Sequence, residues 1–381
     1  MPASRRALFL GQALLALMPA DSLNQAHRVL YMTHLAIGDF VYQGPHLQAL
    51  QQAYPNIQLD IWIDDLRGTS KTWHQGRNTT LCQWLEDQPF INHIYPIAAN
   101  NSHRQALIRQ AQERDYDAII FIATQRSDLF AKAARAISRS AYIVGTQAKG
   151  HQNPLGKWWR FRQINGVLDE SRIPDTAQQH ISSLYGHRFQ ALVGVKSEAA
   201  TLAVSPPAAW RQRTRQRLDA LDPEGARRWV LINHLSTSVK RDLSWSKTLE
   251  LIKALHKCYP ALSFVLNLPP DQFQAVEERL HQQNEEYQDS GITILPFTAT
   301  EHFYELPAML CCVDYVVTVE TAIMHLAASV GTRQTALVRA SAKHWQPLGD
   351  SQVVECQGSI DAVDVAVLVA RVIDHWGLLS P

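Results

Sequence analysis

Short apolar runs alternate along this chain with longer segments in which apolar residues return every three or four positions. The first pattern suits strands buried on both faces, the second amphipathic helices. In the first half, 28–34 (RVLYMTH), 58–63 (QLDIWI), 92–97 (NHIYPI), 117–123 (DAIIFIA) and 141–145 (AYIVG) predict strands. Helical patterns fall between them at 45–54, 78–87, 102–115 and 127–139. A less regular stretch over 146–175 follows, then a helix near 175–186. In the second half, strands are predicted over 228–234, 262–268, 291–296, 314–320 and 334–339. Helices are predicted over 244–259, 271–283 and 321–331, and an amphipathic helix closes the chain within 359–376.

Strands alternating with helices predict an α/β fold with parallel sheets, and the length of 381 residues suits two domains. Two Rossmann-like domains facing each other across a cleft are expected. Pro206-Pro207 and a basic helical stretch around 207–221 mark the join. The boundaries follow: an N-terminal helical extension over 1–27, a first domain over 28–205, a linker over 206–226, a second domain over 227–358 and the closing helix over 359–381.

A net charge of +1 argues against a general polyanion-binding surface, so no nucleic-acid partner is expected. Five cysteines, an odd number without a C-x-x-C pair, fit free thiols in a reducing cytoplasm. Near the N-terminus, RRALFLGQALLALM has the size of a signal-peptide core, but MPADSLNQ places Pro19 and Asp21 where a small-residue cleavage site would fall. It is too short to span a bilayer and reads as a short helix, either packed on the body or lying at a membrane surface.

Several chemistries lack their motifs. No G-x-G-x-x-G follows the first strand, and GTQAKGHQ lacks the Lys-Ser/Thr pair of a nucleoside-triphosphate loop. H-E-x-x-H and G-x-S-x-G are missing too. Asp64-Asp65, after the second strand, suits a solvated turn better than a metal site, and no metal is expected.

Three stretches stand at carboxyl ends of predicted strands, where open α/β sheets bind ligands. In HLAIGDFVYQGPHLQAL, Gly38 suits a tight turn, Asp39 is either a cap or an active-site carboxylate, and Pro45 fits the first turn of the next helix. In LINHLSTSVKRDLSW, the hydroxyls of Ser236, Thr237 and Ser238 precede Lys240 and Arg241. That set makes either a phosphate pocket or a solvated loop with Ser244 capping the helix. In DYVVTVETAIMHLAASVG, Glu320-Thr321 leads into a helix bearing His325. Its N-terminus suits a diphosphate; alternatively Thr321 caps the helix and His325 packs in the core.

Taken together and in this order, the three stretches resemble the heptosyltransferase family, glycosyltransferase family 9 of the GT-B fold. The resemblance rests on Gly38-Asp39, Pro45, Leu47 and Leu50, Tyr54-Pro55, STSVKRDLSW, and ETAIMHLAASVG against the family's Asp-Ser/Thr-Gly-x-x-His-Leu-Ala-Ala-x-x-Gly. It covers about 28–350 and departs at Glu320, where the family has Asp, and at Ala322, where it has Gly.

The resemblance implies an inverting, metal-independent transfer of heptose from ADP-heptose to the lipopolysaccharide inner core of Gram-negative bacteria, with no cofactor. Asp39 would be the general base. Donor binding would fall to Ser236, Thr237, Ser238, Lys240, Arg241, Asp271, Glu320, Thr321, Ala322 and His325, with Glu320 on sugar hydroxyls and Asp271 near the ribose. The first domain would take the acceptor, the second the nucleotide sugar, and the closing helix would return to the first domain. For the acceptor, a Kdo- or heptose-bearing lipid A glycolipid, GKWWRFRQ supplies Lys157, Trp158, Arg160 and Arg162. Arg67 and Lys71 are weaker candidates of the same kind. A cytoplasmic protein with peripheral contact at the inner face of the inner membrane is then expected. The alternatives are a related transferase using another nucleotide sugar or a protein or capsule acceptor, and, third, a non-catalytic GT-B binding protein.

Overall fold

The computed structural model describes residues 16–67, 72–147, 154–282 and 290–378, with the backbone alone described at 72–75, 77, 154, 155, 157 and 158. The chain divides into two compact units, Met1–Ala36 with Gln43–Ala200, and Ile37–Tyr42 with Thr201–Pro381. The expected helix at the N-terminus falls largely outside the described residues, and Lys71 lies outside them.

In the first unit, β1 (Arg28–Thr33), β2 (Gln58–Trp62), β3 (His93–Tyr95), β4 (Ala118–Ile122), β5 (Tyr142–Gln147) and β6 (Gly166–Asp169) form one parallel sheet in the order β3-β2-β1-β4-β5-β6. β1 and β4 are buried almost throughout, as expected for central strands covered on both faces. Leu30, Met32, Ile119 and Phe121 share one core with Phe130, Ala134 and Ile137 of the helix Ser127–Ile137.

The second unit repeats the plan. β7 (Arg228–Asn233), β8 (Leu262–Asn267), β9 (Ile294–Phe297), β10 (Tyr315–Val319), β11 (Gln334–Arg339) and β12 (Ser351–Cys356) pair in parallel in the order β12-β11-β10-β7-β8-β9. Counted from its own first strand, this is the same strand order as in the first sheet.

The strands expected from the sequence are all present, and each sheet has one more. β6 and β12 are edge strands, partly exposed along most of their length, so neither shows a continuous apolar run. The helix Ala208–Asp219 occupies the expected join, and Thr201–Pro381 group together from before it to the end of the chain. The closing helix, expected to return to the first domain, groups with the second unit. It spans Val365–Trp376 and buries Val365, Leu368, Val369 and Val372 in the second unit's core with Val230, Ile252 and Phe264.

Four further helices carry candidate site segments: α1 (Ile37–Ala53), α2 (Pro154–Phe161), α3 (Pro270–Gln282) and α4 (Ala322–Val330). α1 begins well before the expected start at 45, and Pro45 lies inside it. A proline has no N–H for the carbonyl four residues back, which here is Val41. That carbonyl accepts instead from the Leu202 N–H at 2.7 Å, so the break in the helix ladder is satisfied by another segment. Among the described residues, no helix is long and apolar enough to cross a membrane.

Candidate active site

β7 and β10 are neighbours at the point where the strand order of the second sheet reverses, the usual ligand crevice of an open α/β sheet. The segments holding Ser236–Arg241 and Glu320–His325 leave from their carboxyl ends. Asn267 Nδ2 donates to Asn233 Oδ1 at 3.0 Å, and Asn233 Nδ2 donates to Thr318 Oγ1 at 3.0 Å and Thr321 Oγ1 at 3.1 Å. Thr321 Oγ1 also accepts the Ile323 N–H at 3.3 Å, so it caps α4 and ties the helix start to three strands. The first N–H groups of α4 have no partner four residues back, and the helix dipole adds positive potential there.

His325, one turn into α4, is 4% exposed. Its Nδ1 lies 2.7 Å from the Tyr42 hydroxyl, and the two rings meet edge to face at 5.1 Å. Burial raises the Tyr42 pKa well above that of an ordinary phenol, so its proton stays on and the hydroxyl can donate. Trp345 completes an aromatic cluster, 6.0 Å from His325 and 6.2 Å from Tyr42 between ring centroids.

Tyr42 belongs to the first turns of α1, and Ile37–Tyr42 group with the second unit. Gly38 is therefore not a turn residue, as the sequence suggested, but a contact point. A Cβ on it would stand 3.2 Å from His325 Cδ2 and 3.8 Å from Ala322 Cα. The missing side chain lets the start of α1 approach the start of α4. Asp39 follows, half-buried in the first turn of α1, where a helix N-terminus stabilises a carboxylate.

The hydroxyl-rich loop is more closed than expected. Ser236 N–H donates to Asp242 Oδ1 at 2.6 Å and Ser238 N–H to Ser236 Oγ at 3.0 Å, so these two amides are already used. Thr237, Ser238 and Lys240 are exposed, and Arg241 is half-buried with Nη2 2.5 Å from Thr237 Oγ1. Asp271 is exposed in the first turn of α3, after β8.

Glu320, 7% exposed, is fully engaged. Its Oε2 accepts from Arg339 Nε at 3.0 Å and from the Arg339 N–H at 3.3 Å, while Oε1 accepts from Arg339 Nη2 at 2.9 Å. Arg241 Nη1 stands 3.8 Å from the same Oε1. The carboxylate expected to hold sugar hydroxyls is thus clasped by a guanidinium.

In the first unit, GKWWRFRQ is mostly helical, in α2. The side chains of Lys157 and Trp158 lie outside the described residues. Arg160 is half-buried, and Arg162 stacks on Trp159 at 3.9 Å, which is 63% exposed. Asp64 and Asp65 meet arginines: Arg104 at 2.5 Å from the first, Arg67 at 2.5 Å and Arg126 at 3.8 Å from the second. A cavity of about 380 Å³ on this unit, lined partly by His46, Ser182, Gly186 and Lys196, contains none of the expected site residues. Its buried histidine is already used, Nδ1 accepting the Ser197 N–H at 2.9 Å.

Sequence reasoning missed Tyr42, Trp345 and Arg339. Tyr42 is 283 residues from its partner, and no local pattern links them.

Comparison with known proteins adds the family. The family model for glycosyltransferase family 9 (heptosyltransferase) matches residues 104–364. No curated protein matches the chain in sequence. Among solved structures, the family 9 glycosyltransferase of Veillonella parvula superposes with a TM-score of 0.70 at 13% identity, covering 92% of this chain and 97% of that one. E. coli ADP-heptose lipopolysaccharide heptosyltransferase II gives a TM-score of 0.66 at 15% identity, covering 92% and 99%. E. coli heptosyltransferase WaaC, solved with ADP, gives 0.61 at 18%, covering 91% and 99%. These likenesses establish the GT-B fold, and with the family match they show that the chain belongs to glycosyltransferase family 9, the heptosyltransferases, and is a glycosyltransferase.

Proposed function

We propose that this enzyme transfers heptose from ADP-heptose to the lipopolysaccharide inner core, with inversion at the anomeric carbon and without a metal. The observation that carries the reading is the approach of the first turn of α1, bearing Asp39, to the first turn of α4. Asp39 takes the proton from the acceptor hydroxyl as its oxygen bonds to the anomeric carbon. The bond from that carbon to the diphosphate breaks in the same step, its electron pair leaving on the diphosphate oxygen. One such in-line displacement inverts the centre.

The departing charge is met by the N–H groups at the start of α4, by His325 and by Lys240 or Arg241. When Tyr42 donates to Nδ1, the proton of His325 resides on Nε2, and a donor then faces away from Tyr42. On the acceptor side, Trp159 and Arg162 form an exposed stacked pair suited to a phosphorylated glycolipid at a membrane surface. ADP rather than another nucleotide, and heptose rather than another sugar, rest on the family resemblance. A second reading, with another sugar on the donor, is favoured by one observation: Glu320 is clasped by Arg339 where the family has Asp.

The test is incubation with ADP-heptose and a heptose-free core acceptor, with the product's anomeric configuration read by NMR. An inverted heptoside supports the reading. Transfer only from a different nucleotide sugar, or retention of configuration, overturns it.

A further inference from the structure

We propose that Arg339 is a donor-recognition residue for the diphosphate, and that Glu320 acts through it as a positioning residue rather than by reading the sugar. The inference rests on the transferase reading of this site and assigns it a cation not marked out by the sequence.

Glu320 directly follows β10 and Arg339 ends β11, neighbouring strands whose carboxyl ends open on the same edge of the sheet. The guanidinium offers Nε and Nη2 to the carboxylate as a fork, at 3.0 and 2.9 Å. Such bidentate pairs fix orientation as well as charge. The backbone N–H of Arg339 takes up a further lone pair of Oε2 at 3.3 Å. With three donors on it and Arg241 at 3.8 Å, the carboxylate has little capacity left for hydroxyls.

Arg339 keeps its other edge: Nη1 has no partner among the described residues, and the side chain is 26% exposed. Two guanidiniums, of Arg339 and Arg241, share one carboxylate, which leaves the group with one positive charge. That charge stands within a few residues of the positive end of α4, which starts two residues after Glu320. An anion is the ligand that such a group takes, and the anion of this reaction is the diphosphate. A shorter aspartate at position 320 would not reach Arg339 with the same fork. Glu320 and Arg339 thus form a matched pair in which the longer acid holds the added cation.

The test is calorimetric titration of the wild-type chain and its variants with pyrophosphate, ADP and adenosine, alongside ADP-heptose transfer. Arg339→Gln should weaken ADP and pyrophosphate about 10- to 100-fold and leave adenosine unchanged, as for the loss of a charged hydrogen bond. Glu320→Gln should give a smaller loss of the same kind, seen as a raised donor KM with sugar preference unaltered. That loss should vanish when Glu320→Gln is made in the Arg339→Gln background. If Arg339→Gln does not fold, Arg339→Lys, which keeps the charge without the fork, replaces it and should lose several-fold.

Wild-type affinity for ADP in the Arg339 variants overturns the inference. So does a Glu320→Gln variant that changes sugar preference at constant ADP affinity, or a wild-type chain that binds neither ADP nor pyrophosphate. The underlying reading fails separately: ADP binding that depends on Arg339, without heptose transfer, leaves the inference standing and removes the heptosyltransferase assignment.

Discussion

Replacing Tyr42 by phenylalanine removes one oxygen atom from a ring that otherwise keeps its place. The edge-to-face contacts with His325 and Trp345 remain available, because they involve the ring and not the hydroxyl. What is lost is the 2.7 Å hydrogen bond to His325 Nδ1. His325 is 4% exposed, so the abandoned nitrogen has little access to water. Leaving a buried polar atom unsatisfied costs about 1–3 kcal/mol. Thermal unfolding should therefore fall by a few degrees, at roughly 2–4 °C per kcal/mol for units of this size. A larger effect is expected on catalysis, because the imidazole loses the contact that sets its tautomer and orientation. We expect kcat/KM for the donor to fall about 10-fold, equivalent to about 1.4 kcal/mol. In a His325→Gln background the same substitution should change kcat/KM by less than about twofold, since the interaction no longer exists. Thermal melts and steady-state transfer kinetics on the four proteins of this cycle decide the matter. A Tyr42→Phe enzyme with wild-type kinetics, or an undiminished effect in the His325→Gln background, would refute the assignment of Tyr42 as the partner that positions His325.

Gly38→Ala should change stability by less than about 1 kcal/mol, because the gain in helix propensity offsets crowding of His325 at 3.2 Å; Gly38→Val should cost about 1–3 kcal/mol by overpacking, and urea denaturation measures both. Burial lowers the pKa of His46 and of His234 from 6.5 to about 4. Between those values the unfolded chain binds protons that the folded chain does not, so stability is unaffected above pH 6.5 and falls as pH drops toward 4. Each histidine accounts for about 3 kcal/mol over that window, and His46→Gln should flatten the measured dependence by about that amount. A variant with the same pH slope as wild type would remove His46 from the account.

The alternation of apolar runs and amphipathic segments carried most of the fold, because central parallel strands are buried on both faces and announce themselves locally. β6 and β12 were hidden for the opposite reason: an edge strand such as GVLD, partly exposed at every position, needs no apolar run. The start of α1 was misplaced because Pro45 fits a first turn, whereas here the Val41 carbonyl is satisfied from Leu202. In the site, the motifs around Gly38, Thr321 and His325 were legible because each sits at a strand exit. Their partners were not. Tyr42 meets His325 across 283 residues and Arg339 meets Glu320 across 19, and only the folded chain brings them together. Glu320 was visible as a departure from the family pattern, but its consequence became readable only with Arg339 beside it.

Proton removal from the acceptor in the proposed mechanism depends on Asp39. Asp39→Ala should reduce transfer from ADP-heptose by at least about 100-fold, as for loss of a general base, while the titrated affinity for ADP stays within about twofold of wild type. An Asp39→Ala enzyme that turns over at near the wild-type rate would contradict the central claim.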